Sequence, residues 1–293
     1  MGNGNWKKDL AALVAEGLGG SSRESLAQVM SRRTIEGIGA LVGADRDLYQ
    51  ASAHVGLRGA AALYPERVGY LATAAVNVVS SAMGWEKPRI AAKTTLMPLL
   101  AASVWRRRHE TSRTTTTLLL IGLAGGWLGD LLLIPNKPNL NRGSAAFAVN
   151  HAAYHFLLWR AGARLNLTRA AIRFPLWGAS LPVIAVAKPE MMPAAVGYGP
   201  MLATTSVLAD DPALVSKLPA PAQDAELGLP VADPAYGLGH GANLFLISDV
   251  LLMTRKLVDE EGLLGRLLNA AVMDTYTVAQ LLLVEGLLAV DRR

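Results

Sequence analysis

From residue 68 onward the chain alternates long, almost charge-free stretches with short connections that hold the basic residues. This alternation restricts the fold more than any other feature. Residues 68–85, 143–159 and 191–209 contain no Asp, Glu, Lys or Arg. Residues 90–105 hold only Lys93, residues 114–136 only Asp130, and residues 170–187 are interrupted by Arg173. Residues 234–254 hold His240 and Asp249, and residues 267–290 hold Asp274 and Glu285. A helix needs about 20 mostly apolar residues to cross the roughly 30 Å hydrocarbon core of a bilayer. Eight stretches in series meet that requirement. The expected fold is all-α: a polytopic membrane bundle of eight transmembrane helices over residues 67–293, preceded by a cytoplasmic N-terminal extension over residues 1–66.

Composition agrees. The chain is 52% apolar and only 17% charged, below the quarter usual for soluble domains. It has no cysteine, which removes thiol catalysis, disulfides and thiolate metal sites. The net charge of +5 needs no nucleic acid to account for it, because the basic residues cluster at the ends of the spans. Arg106, Arg107, Arg108, Arg113, Arg160, Arg164, Arg169, Arg173, Arg292 and Arg293 fall in one set of connections and the spans beside them. The opposite set carries fewer: Lys87, Arg89, Lys137, Arg142, Lys188, Arg255, Lys256 and Arg266. By the positive-inside rule both termini are expected in the cytoplasm, with the bundle in a bacterial inner membrane.

Two regions lack the pattern. Residues 1–66 start with Trp6, Lys7 and Lys8 and pass through Gly19, Gly20, Ser21 and Ser22. No apolar core follows the basic start, so a cleaved signal peptide is not expected. Residues 6–18 and 23–42 fit amphipathic helices on the cytoplasmic leaflet, or a partly ordered extension that docks a protein partner. Residues 210–233, with four prolines and mostly acidic charges, read as a long cytoplasmic loop.

Ionisable and amide groups inside spans are costly and mark sites or helix contacts. At 1.5 Å per residue, Lys93, Asp130, His151, Asp249 and Tyr276 all lie about 6 to 15 Å from the same, non-cytoplasmic end. Their helical spacing agrees. Phe147, His151, Tyr154 and Leu158 form one stripe, Gly241, Phe245, Ser248, Asp249 and Leu252 another, and Tyr276 lies one turn from Gln280. Gly122, Gly126 and Gly129 put small residues on the face of Asp130, where a neighbour packs closely.

The strings KTTLMPLL, GGWLGDLLL, GSAAFAVNHAAYHF, GANLFLISDVLL and TYTVAQLLL occur in this order on these spans. Together they resemble the YhhN family of membrane lysoplasmalogenases over about residues 68–290. The resemblance implies eight membrane helices and hydrolysis of the vinyl ether bond of a membrane lysophospholipid, releasing a fatty aldehyde and a glycerophospho-base. It places the family's two important aspartates at Asp130 and Asp249, and its other intramembrane polar residues at Lys93, His151, Tyr154, Tyr276 and Gln280. Thr94 stands where the family usually has proline.

In that chemistry one aspartic acid protonates the alkene carbon while the other, ionised, stabilises the cation and orients water, as expected of a buried carboxyl pair. Lys93 is expected either at the lipid phosphate or snorkelling to the interface. His151, Tyr154, Ser248, Tyr276 and Gln280 complete the substrate-contact set. No cofactor is expected. A metal held by His151, His155 and His240 is disfavoured because the three share no common depth, and Ser248 faces no histidine base that would make it a nucleophile. The alternative is a non-catalytic protein that binds or transports lipid, or an accessory membrane subunit that docks a partner through residues 1–66.

Overall fold

The computed structural model describes residues 6–21, 24–134 and 139–293. Ser22, and the connection carrying Pro135, Asn136 and Lys137, fall outside them. Three helices come first: α1 (Trp6–Gly17), α2 (Leu26–Ala44) and α3 (Arg46–Leu63). The longer helices follow as α4 (Pro65–Met83), α5 (Glu86–Arg106), α6 (Arg113–Leu132), α7 (Leu140–Arg160) and α8 (Leu167–Ala187). The rest are α9 (Met192–Gly197), α10 (Gly199–Ala209), α11 (Gly237–Arg255) and α12 (Leu263–Asp291). Three of these, α6, α8 and α12, are long and apolar enough to cross a membrane.

Local chemistry sets the boundaries. Pro65 opens α4, where its missing N–H costs nothing, and Gly84 closes it at φ 73°, a left-handed cap that favours glycine. Ser112, Asn139 and Asn166 cap α6, α7 and α8 by accepting hydrogen bonds from the backbone N–H of Thr115, Arg142 and Arg169.

The expected single span over residues 191–209 is instead two helices. Pro200 at the start of α10 has no N–H to offer the preceding turn, and Gly197 and Gly199 flank the junction. Tyr198 sits at the break.

The last helix, α12, is the spine. It packs against α11, α4, α6 and α5 and is almost wholly buried from Tyr276 to Leu288. Two other helices approach their neighbours through glycine. A Cβ on Gly125 would lie 2.9 Å from the Ala146 carbonyl oxygen of α7, and one on Gly241 2.9 Å from that of Ala279 in α12. Gly126 faces Gln280 and Tyr276 of α12 as well as Asn150 of α7.

The N-terminal helices are built into one end of the bundle. Helix α1 lies on α8, and α2 lies on α11 and α12. Arg33 of α2 and Arg173 of α8 both hold buried Asp210 at 2.6 Å, and Arg173 also donates to the Gly17 carbonyl at 2.7 Å. Beside them Asp45, Arg67, Glu285 and Arg107 form a second ion network joining α3, α4, α12 and α5. The expected helices over 6–18 and 23–42 are thus present with shifted ends, and α3 was not anticipated. On α2, Arg33 pairs with Asp210 and Arg32 with Glu36, while Leu10, Leu13, Met30, Ile35 and Ile38 of the two helices are exposed.

Residues 210–233 are likewise ordered rather than a plain loop. They carry a short hairpin, β1 (Ala222–Gln223) with β2 (Pro230–Val231), and Ala232 donates to the Gly39 carbonyl at 2.9 Å. Arg293 bonds Asp233 and the Leu214 carbonyl, so the C-terminus ends beside the N-terminal helices.

Candidate active site

Asp130, 1% exposed near the end of α6, receives two partners from other helices. Lys93 of α5 brings Nζ to 3.1 Å from Oδ1, and the Tyr276 hydroxyl of α12 donates to Oδ2 at 2.8 Å. Three distant stretches of sequence thus close on one carboxylate. Lys93 does not snorkel: its ammonium turns inward, with Met273 Sδ 4.0 Å away. A paired ammonium is the less costly state for a lysine this far inside an apolar bundle.

Asp249 of α11 has a different environment. Among the described residues no Lys or Arg forms an ion pair with it; the group at its carboxyl is the Tyr198 hydroxyl. That hydroxyl also lies 3.2 Å from His151 Nε2, and His151 Nδ1 is 2.8 Å from the Thr205 hydroxyl. His155 Nε2 meets the Met201 carbonyl at 2.9 Å and so carries the proton there. His151 thus links Thr205 to Tyr198, and Tyr198 and Asp249 both line one apolar cavity.

The remaining expected residues divide. Ser248 donates to the Val272 carbonyl at 3.1 Å, which fixes α11 to α12 while the residue still borders the site. Tyr154 donates to Gln280 at 2.5 Å, and Gln280 donates to Asn150 at 3.3 Å. This buried amide–phenol cluster ties α7 to α12 beside the site. His151 and His155 converge on Thr205, while His240 lies against Gly37 of α2.

Two cavities meet at these groups. A polar one of about 60 Å³ is bordered by Lys93, Asp130, Ser248, Asp249 and Tyr276, space for a few waters. An apolar one of about 270 Å³ lies among α7, α8, α9, α10 and α11, lined by residues such as Leu176, Trp177, Val183 and Leu202. Leu133, Leu140, Phe147, Asp249 and Leu252 border both, and Asp249 is the ionisable group at the junction. Phe245 packs edge-on to Tyr276 at 5.4 Å and to Phe147 at 6.3 Å, which holds the wall between them rigid.

Of the five groups expected at one depth, Lys93, Asp130, Asp249 and Tyr276 border one cavity, and His151 lies outside it, 3.2 Å from the Tyr198 hydroxyl. The two carboxyls share a cavity but make no hydrogen bond to each other, each being held by its own partners. Asp130 and Asp249, expected as neighbours in one pocket, line one cavity with separate partners. Tyr198 and Thr205 were not anticipated. The string Gly197-Tyr198-Gly199-Pro200, a helix break inside an uncharged stretch, was the available signal for the tyrosine.

No curated protein and no solved structure matches the chain. The sequence profile of the YhhN family matches residues 88–287, the greater part of the chain and the part that carries Lys93, Asp130, His151, Tyr198, Asp249 and Tyr276. With its apolar helices and this match, the protein is a membrane protein that belongs to the YhhN family.

Proposed function

We propose that the protein hydrolyses the vinyl ether bond of a lysophospholipid within the membrane. The observation that carries this reading is the position of Asp249, where a long apolar cavity meets a small polar one. An amphiphile lying across that junction puts its apolar chain on one side, its polar end on the other, and the bond between them beside the carboxyl. A scaffold has no use for space at that point, which ranks the accessory-subunit alternative second; a lipid-binding protein would use the same space without turnover, and aldehyde release separates the two.

The roles follow from the partners. Asp130, held against Lys93 and Tyr276, serves as the fixed carboxylate. Asp249, whose partner is a hydroxyl, serves as the proton donor. It delivers its proton to the alkene carbon farther from the ether oxygen, and the carbon bonded to that oxygen becomes an oxocarbenium centre. The negative charge of Asp130 stabilises that cation. Water adds to the cationic carbon and returns a proton to Asp249 through the carboxyl and Tyr198. The resulting hemiacetal breaks its carbon–oxygen bond, releasing aldehyde and a glycerol hydroxyl. One water is consumed and no redox change occurs.

The bundle is read as eight membrane-crossing units, α4 to α8, α9 with α10, α11 and α12, with both termini in the cytoplasm of a bacterial cell. The test is direct. Purified protein mixed with 1-alkenyl lysophospholipid and an aldehyde-trapping reagent is expected to release aldehyde, and the Asp249→Asn and Asp130→Asn variants are expected to lose the activity. Undiminished turnover by either folded variant would overturn the mechanism.

A further inference from the structure

The polar cavity has a basic mouth. Beyond Lys93 and Asp249, toward the end of the bundle opposite α1–α3, its wall is completed by Arg89, Arg255, Lys256 and Asn269. Arg89 lies one helical turn outward of Lys93, and Arg255 six residues outward of Asp249, about 6 and 9 Å along their helices.

Two of the three cations at the mouth share one carboxylate. Glu260 accepts from Arg255 at 2.9 Å and from Lys256 at 2.8 Å. Arg89 forms no ion pair among the described residues and stands near enough to Arg255 to repel it. Arg255 Nε is buried with no hydrogen-bond acceptor. Like charges gathered at the mouth of a cavity, with a donor left unused, are the electrostatic complement of an anion. Guanidinium forks match phosphate oxygens in particular. Lys93, the cation deeper in the cavity, is already paired with Asp130, so such a group is held at the mouth and does not enter the floor.

We propose that Arg89, Arg255, Lys256 and Asn269 form a subsite for the phosphate of the lipid headgroup, so that the protein selects phosphate-bearing amphiphiles over uncharged ones of the same chain. The subsite rests on the functional reading above and deepens it. Lys93, the sequence-based candidate for phosphate contact, is committed to Asp130. The residues at the mouth take that part, separated from the reacting bond by the glycerol carbons.

The test uses the full-length protein in detergent with two matched ligand pairs. The first pair is 1-alkenyl glycerophosphocholine and 1-alkenyl glycerol, read as the ratio of their kcat/KM values. The second pair is the corresponding 1-alkyl ethers, which carry no vinyl group and report binding alone. The expected result is a wild-type preference for the phosphate-bearing member in both pairs. In Arg89→Gln and Arg255→Gln that preference falls by about tenfold each, the loss of one charge-assisted contact, and the change lies in KM more than in kcat. Arg255→Lys retains more of it than Arg255→Gln. An effect confined to packing would lower both members of a pair alike, and a melting temperature for each variant identifies any that fails to fold.

Equal affinity for phosphate-bearing and phosphate-free ethers in the wild type, or an unchanged ratio in both glutamine variants, overturns the subsite even if turnover is intact. Phosphate-selective binding without any turnover supports the subsite and overturns the hydrolase reading alone. Inorganic phosphate and glycerophosphocholine serve as competitors to separate the sources. Competition by both that weakens in Arg255→Gln supports the subsite. Equal or stronger competition by inorganic phosphate than by a phosphate-bearing alkyl ether overturns the lipid headgroup as its occupant.

Discussion

At the residue scale, the site separates two aspartates that the sequence presents as equivalents. Asp130 has a cation and a phenol, and Asp249 has a phenol connected to a histidine. The pairing of Lys93 with Asp130 predicts a specific pattern in a double-mutant cycle. Removing one partner of a buried ion pair costs about 3 to 5 kcal/mol, whereas replacing both leaves no stranded charge. Lys93→Met is therefore expected to lower the thermal midpoint strongly, and Lys93→Met combined with Asp130→Asn to recover much of the loss. Additive losses would show that the pair is not a unit. Tyr198→Phe tests the other carboxyl. It removes the hydroxyl that joins His151 to Asp249 while keeping the ring, and turnover is expected to fall by about tenfold or more with folding retained. The partners of these groups were not legible beforehand. Depth counting placed Lys93, Asp130 and Asp249 in one layer, but which groups touch depends on how helices far apart in sequence rotate against each other.

At the element scale, glycine sets how closely helices approach. Because a Cβ on Gly125 would crowd the Ala146 carbonyl at 2.9 Å, Gly125→Val is expected to push α6 from α7 and cost about 1 to 3 kcal/mol. A melting temperature equal to that of the wild type would contradict this. The hairpin of residues 222–231 gives a pH prediction. Asp224, held below the ordinary carboxylate value by the backbone N–H groups of Leu227 and Glu226 and by Arg46, is ionised in the folded hairpin. Its contribution is present above the ordinary aspartate value and is lost as pH falls through the lowered one. Amide exchange in the hairpin is expected to be protected from neutrality down to about pH 4 and to accelerate below it. Protection that already fails at pH 6 would assign the hairpin's order to something else. Helix positions from residue 65 onward were legible as charge-free stretches, since burial of apolar surface and the 3.6-residue repeat both leave their mark locally. The break at Tyr198 was not, because an uncharged stretch has the same composition whether it is one helix or two. The docking of α1 and α2 was equally hidden: an amphipathic face looks the same whether it meets lipid or protein.

At the scale of the whole molecule, the two ends of the bundle have different chemistry. One end collects the ion networks of Asp210 and Glu285, the N-terminal helices and both described chain ends. The other carries the polar cavity and its basic mouth. Rigidity at the first end holds the helices whose far ends form the site, so the long N-terminal segment has a structural purpose as well as any partner it binds. The overall account depends on the two carboxyls acting on one lipid-sized space. The most direct measurement is aldehyde release from 1-alkenyl lysophospholipid by the purified protein, compared with Asp130→Asn and Asp249→Asn variants shown to fold by their melting temperatures. The account predicts steady aldehyde formation by the wild type and a fall of at least about a hundredfold in each variant. Aldehyde formation that continues at the wild-type rate in either folded variant would contradict it.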